Sequence, residues 1–184
     1  MSLTPSTMMP LGTSAPAFTL LDTVSEKILS LDRLKGDKAT LVMFICNHCP
    51  YVKHVQAELV RVARDYQPRG AGFIAISSND ATNYPEDAPR KMSEAARANA
   101  FPFPYLHDET QNVARAYRAA CTPDFFLFNA SLACVYRGQF DGSRPGNGVP
   151  VTGADLRAAL EAVLAGRPVA PDQKPSIGCN VKWK

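Results

Sequence analysis

From Cys46 to His54 the chain reads C-N-H-C-P-Y-V-K-H, two cysteines and two histidines directly after the apolar run T-L-V-M-F-I. These residue types at this spacing suit a dithiol/disulfide couple, a soft-metal site or a helix start with spare polar groups. The thiolate is the attacking form of a cysteine, and unpaired N–H groups at a helix N-terminus favour it. Cys46, at such a junction, is therefore expected to attack a disulfide. Cys49 is expected to be carried beneath it by the first helical turn and to resolve the mixed disulfide at high effective concentration. Asn47 and His48, between the two, are the expected tuning residues. Thiolate and imidazole also suit copper(I) or zinc, which keeps a metal-delivery reading open as the alternative. For that reading His54, one turn on beside Lys53, is more simply a surface residue, and His107 is the other histidine to consider.

The elements that must hold this stretch are legible from periodicity. Thr40 to Ile45 is an almost unbroken apolar run, as in a strand covered on both faces, and Ala71 to Ile76 is the next. Between them Val52, Val55, Leu59, Val62 and Tyr66 recur at spacings of three and four and predict a helix of about four turns. Strand, helix and strand make a βαβ unit with the cysteines at its first junction. A helix follows near Lys91 to Asn99, and then F-P-F-P-Y-L, whose prolines exclude a regular central strand. Asp108 with Gln111 predicts a cap for a helix through Val113, Ala114 and Tyr117. Phe125–Phe128 and Leu132–Arg137 predict a hairpin around N-A-S. Thr152 with Asp155 predicts the start of a last helix carrying Leu156, Leu160, Val163 and Leu164, with Gly166 as its stop. Residues 167–184, punctuated by prolines, read as an extended tail. The glycine-containing segment from Arg137 to Val151 lacks phosphate-binding spacing and reads as loop.

Composition narrows the function. Twenty basic against seventeen acidic side chains, with no block of like charge, argue against nucleic-acid partners, and no apolar run is long enough for a bilayer. The N-terminal residues lack a basic, apolar leader, so a soluble, cytoplasmic chain is expected. Five cysteines, at 46, 49, 121, 134 and 179, are an odd number in a chain too large to need stapling. A cytoplasmic Cys-x-x-Cys is more often catalytic or metal-binding than structural.

The order β-α-β, helix, β-β, α, with Cys-x-x-Cys at the first junction and Thr-Pro before the hairpin, resembles the thioredoxin fold. M-F-I-C-N-H-C-P-Y-V-K-H, Y-P-E-D-A-P, F-P-Y-L-H-D-E-T-Q, A-Y-R-A-A-C-T-P-D-F-F-L-F and S-I-G-C-N-V-K-W are similar to the peroxiredoxin-like, thiol-disulfide isomerase branch of that superfamily, the redoxins of AhpC/TSA type. The resemblance implies an α/β fold with a central mixed sheet flanked by helices. It implies one domain over 1–166, including an N-terminal extension over 1–37, and a tail over 167–184 packed on it. It also implies a thiol-disulfide oxidoreductase working through a redox-active Cys46–Cys49 disulfide, with no other cofactor and no resident metal. Expected partners are protein or small-molecule thiols and disulfides, and the chain is a monomer or homodimer. His48 occupies the position that histidine fills in strongly oxidising members, which puts the Cys46 pKa between about 3.5 and about 7.

Pro123 would be the cis-proline facing the pair, leaving the Thr122 backbone to bind an extended substrate. Cys121 and Cys179 are possible auxiliary thiols, and Cys134 reads as core. Two departures from the relatives carry chemistry. Where thioredoxins bury an acid, six residues before the first cysteine, this chain has Thr40. Where peroxiredoxins carry the threonine of Pro-x-x-x-Thr-x-x-Cys, alignment on Cys49 puts Cys46. Peroxidase activity is accordingly the secondary expectation.

Overall fold

A computed structural model describes residues 3–184; the first two positions of the expected N-terminal extension, Met1 and Ser2, lie outside the described residues. In chain order the elements are β1 (Leu3–Pro5), β2 (Thr19–Asp22), β3 (Ile28–Ser30), α1 (Leu31–Leu34), β4 (Ala39–Phe44), α2 (Pro50–Tyr66), β5 (Ala71–Ser77), α3 (Pro89–Ala98), β6 (Tyr105–His107), α4 (Asn112–Tyr117), β7 (Cys121–Thr122), β8 (Asp124–Asn129), β9 (Cys134–Gly138), α5 (Ala154–Leu164) and β10 (Ile177–Asn180). A mixed seven-stranded sheet runs β3-β2-β6-β5-β4-β8-β9. Within it β4 lies parallel to β5 and antiparallel to β8.

The unbroken apolar run of β4 follows from burial on both faces. Leu41 and Met43 point into one cluster with Val52, Val55 and Leu59 of α2 and Leu156 and Leu160 of α5. Val42 and Phe44 point into the other with Ile74, Ile76, Phe126, Phe128 and Tyr117. Each such side chain contributes roughly 1.5–3 kcal/mol of burial. Helix α2 opens with Pro50 at its first position, where a missing N–H costs nothing. It gives way to a 3-10 turn containing Pro68 and closed by Gly70 at φ 99°.

Two local expectations need correction. The F-P-F-P-Y-L segment does end in an interior strand: β6 pairs with β5 on one side and β2 on the other. Its prolines are tolerated because the strand starts only after Pro104, whose carbonyl accepts the Ala75 N–H. Thr152 does not cap α5. The Asp141 carboxylate accepts the Thr152 and Gly153 N–H groups at 2.7 Å each, and Gly153 supplies the left-handed turn at φ 66°. Asp155 instead accepts from Gln139 Nε2. At α4 the expected acid does serve, with the Asp108 carboxylate accepting the Ala114 N–H at 2.9 Å.

Both ends of the described chain enter sheets. Strands β2 and β3 pair antiparallel and extend the main sheet beyond β6. A second, three-stranded sheet has the order β1-β10-β7, so the last strand lies between the first and the segment just before Pro123. No helix among the described residues is long and apolar enough to cross a membrane.

Candidate redox site

Strand β4 ends at Phe44, and the chain turns through Cys46-Asn47-His48 before α2 begins. Cys49 is the N-cap residue of that helix and its carbonyl accepts the Lys53 N–H. Helix geometry therefore starts after the second cysteine rather than carrying it, because Pro50 fits the first helical position and the loop ahead is fixed by other partners.

The principal anchor is Asp87, fully buried in the 3-10 turn Pro85–Asp87. Its carboxylate accepts the Asn47 N–H at 2.7 Å and Asn79 Nδ2 at 2.8 Å. His48 Nδ1 lies 2.7 Å from Asp87 Oδ2, out of line for a hydrogen bond, and its ring stacks on Tyr84 at 5.5 Å. Asn47 also donates to the Glu86 carbonyl and accepts from the Tyr105 hydroxyl. The two intervening residues thus tie the loop to an acid that sequence reasoning missed. The only sequence signal was an aspartate in Y-P-E-D-A-P, forty residues from Asn47, too distant for a spacing motif.

The sulfurs face Thr122. Cys49 Sγ is 3.1 Å from the Thr122 carbonyl, and Cys46 Sγ is 3.4 Å from the Thr122 hydroxyl. The Thr122–Pro123 peptide is cis, as the resemblance implies. Both cysteines are buried, and they hydrogen-bond to each other. The pKa values of the two thiols move in opposite directions. Donation to Cys49, burial and the nearby Asp87 charge all push the Cys46 pKa up. Cys49 is lowered to about 4, chiefly by the Cys46 S–H, with help from Thr122 and Cys179 against the effect of burial. Against the expected low pKa at Cys46 stand its burial and the Asp87 charge, while the Thr122 hydroxyl works toward it.

Cys46 Sγ, a His48 ring nitrogen and an Asp87 oxygen lie within 4.8 Å of one another. Two donors on one tetrahedral zinc sit about 3.3 Å apart, wider than the 2.7 Å between His48 and Asp87. His54 pairs with Ser143 at 2.7 Å, and His107, its pKa lowered by burial, sits on β6 paired with β2 and β5, so neither joins the trio.

The other thiols divide. Cys121 Sγ faces the Pro123 and Ser176 carbonyls, and burial pushes its pKa up. Cys134 is core, with its thiol against the Tyr136 carbonyl and its pKa pushed up to about 11 by burial. Cys179, from the tail, hydrogen-bonds to Cys49 through both its backbone and its side chain. The Thr122 backbone, expected to await a substrate, already pairs with Cys179 of β10.

Comparison with known proteins bears on this arrangement. The chain is similar over its whole length to an uncharacterized conserved protein from Geobacillus kaustophilus, at 59% identity, 97% coverage of that chain and a TM-score of 0.99. It is similar over 98% of its length to a hypothetical protein from Sinorhizobium meliloti 1021, at 48% identity, 98% coverage of that chain and a TM-score of 0.96. A thiol:disulfide interchange protein of DsbE type from Chlorobium tepidum, described as putative, shares the fold at 17% identity and a TM-score of 0.66, over 85% of this chain and 99% of that one. No curated protein matches. Residues 11–136 match the AhpC/TSA family, a span that holds β4, both site cysteines, Asp87 and the Thr122–Pro123 turn, and the chain therefore belongs to the AhpC/TSA family on a thioredoxin-like fold.

Proposed function

We propose that this redoxin-family oxidoreductase exchanges disulfides with protein or small-molecule thiols through Cys49 and Cys46, in the order Cys49 first. What supports the reading is the asymmetric setting of the two sulfurs on one turn, Cys49 Sγ 3.1 Å from the Thr122 carbonyl and Cys46 Sγ 3.4 Å from the Thr122 hydroxyl, with Cys46, Thr122 and Cys179 pushing the Cys49 pKa down while Cys49, burial and Asp87 push that of Cys46 up. The Cys49 thiolate attacks one sulfur of a substrate disulfide, the S–S bond breaks, and the second sulfur leaves as a thiolate. His48, backed by Asp87, then takes the Cys46 proton. Cys46 attacks Cys49, closing Cys46–Cys49 and releasing the second substrate thiol, so two electrons pass from the pair to the substrate. Run backwards, the same steps oxidise a dithiol. The reading requires no bound cofactor.

A test is to trap the first intermediate. With oxidised glutathione, the Cys46→Ser/Cys179→Ser variant is expected to accumulate glutathione on Cys49, and Cys49→Ser/Cys179→Ser to accumulate none on Cys46. The opposite pattern restores Cys46 as the attacking residue. Labelling of neither sets the exchange reading aside. A peroxidase reading draws support from one contact, because the Cys46 S–H donates to Cys49 from the position of the missing threonine hydroxyl. Peroxide consumption with a thiol reductant, lost in Cys49→Ser, would favour it.

A further inference from the structure

Strand β10 is placed as a substrate would be. It runs antiparallel to β7, with Cys179 opposite Thr122 and Asn180 opposite Cys121, and the Val181 N–H donates to the Ala120 carbonyl. Adding an extended strand beside a protein's own edge is how many proteins bind peptides. Here that edge is the one next to the cis-proline, and the sulfur it delivers meets Cys49. The approach is close enough to demand glycine: a Cβ on Gly178 would sit 2.0 Å from the Thr122 carbonyl oxygen. On its far edge β10 is held by β1, with Leu3 opposite Cys179. Beyond the strand, Lys182 N–H donates to Asn79 Oδ1, and Asn79 Nδ2 in turn donates to Asp87, so the tail is tied to the same buried acid as the redox loop.

We propose that β10 is an internal substrate strand: Cys179 exchanges into the Cys46–Cys49 disulfide, forming Cys49–Cys179 and releasing Cys46. The step is an isomerisation. Cys179 gives up a proton and attacks Cys49, the Cys46–Cys49 bond breaks, and Cys46 leaves as a thiolate that takes up a proton, with no net oxidation. The external substrate class follows from the same geometry. It is an extended polypeptide bearing a cysteine, which adds antiparallel to Cys121–Thr122 once β10 has moved aside. The inference rests on the reading that Cys49 is the exchanging sulfur.

The experiment is disulfide mapping by mass spectrometry after thiol alkylation. In full-length Cys46→Ser oxidised with diamide in the presence of glutathione, most molecules are expected to carry Cys49–Cys179, with Cys121 and Cys134 alkylated. Adding Gly178→Ala is expected to slow that closure at least about tenfold, because the strand is pushed off Thr122. In the wild-type chain, equilibrated in a glutathione buffer, Cys49–Cys179 is expected beside Cys46–Cys49. Cys49 carrying glutathione while Cys179 stays alkylatable in Cys46→Ser, or a wild-type chain holding only Cys46–Cys49, overturns the internal substrate and leaves the exchange reading standing. No glutathione on Cys49 in the Cys46→Ser/Cys179→Ser chain overturns the exchange reading instead.

Discussion

Cys49 and Cys121 flank the same Thr122–Pro123 turn, both buried and both with sulfurs against backbone carbonyls, yet their acidities diverge. Cys49 is lowered to about 4 and Cys121 is raised. Burial acts on both in the same direction, since removing a thiolate from water always costs. The difference lies in what else points at the sulfur. Besides its carbonyl, Cys49 has Cys46 and Cys179 against it, whereas Cys121 has a second carbonyl and the Asp124 carboxylate nearby. Proximity to the turn therefore does not set a thiol's acidity; the groups aimed at it do.

The contrast can be broken most directly by removing each sulfur. Cys49→Ser is expected to lower disulfide exchange by on the order of 10³-fold, since serine is a far weaker nucleophile at neutral pH. Cys121→Ser, assayed with the same disulfide substrate, provides the counterpart at the bottom of the scale.

Asp87→Asn comes next. It removes a charge that raises the Cys46 pKa and also removes the carboxylate beside His48, and these effects oppose. General acid–base assistance is typically worth about 10²–10⁴-fold, more than the loss of one neighbouring charge should return. Resolution by Cys46, followed by stopped flow after the first exchange, is expected to slow by about 10² and to become proportional to hydroxide concentration. Faster resolution would mean that Asp87 only restrains Cys46.

Asp124 separates the Cys121 side by pH. It is fully buried, and burial raises its pKa to about 7 from 3.8. A folded pKa above the unfolded one means that the native state binds the extra proton. Stability from this group is thus complete below about 4 and is lost as pH rises through about 7. Urea melts should fall by up to about 1.36 kcal/mol per pH unit in that window, and Asp124→Asn should flatten the slope. Smallest of all, Cys121→Ser should change exchange by less than about twofold, with a stability loss of roughly 1–3 kcal/mol from placing a hydroxyl among poor partners. A large loss of exchange would bring Cys121 into the relay.

Much of the frame was legible. β4, α2, β5, α3 and the β8–β9 hairpin lie within a few residues of where apolar spacing put them, because strand and helix periods are local properties of side-chain order. The Cys46–Cys49 pair and the Thr122–Pro123 turn were legible as residue types, and their convergence came from the resemblance. The β2–β3 hairpin in the main sheet, the central place of β10 and the role of Asp87 were not.

By itself the sequence determined a βαβ unit with a dithiol at its first junction and an apolar core on two faces of a sheet, since burial depends on side chains that recur at short range. Only the tertiary structure decided which groups surround each sulfur, which acid anchors the loop between them, and what lies against Thr122. Those are settled by contacts between residues far apart in the chain, Asn47 with Asp87, Cys49 with Thr122 and Thr122 with Cys179. The strand pairing runs through backbone groups that every residue carries, so nothing in the order of side chains announces it.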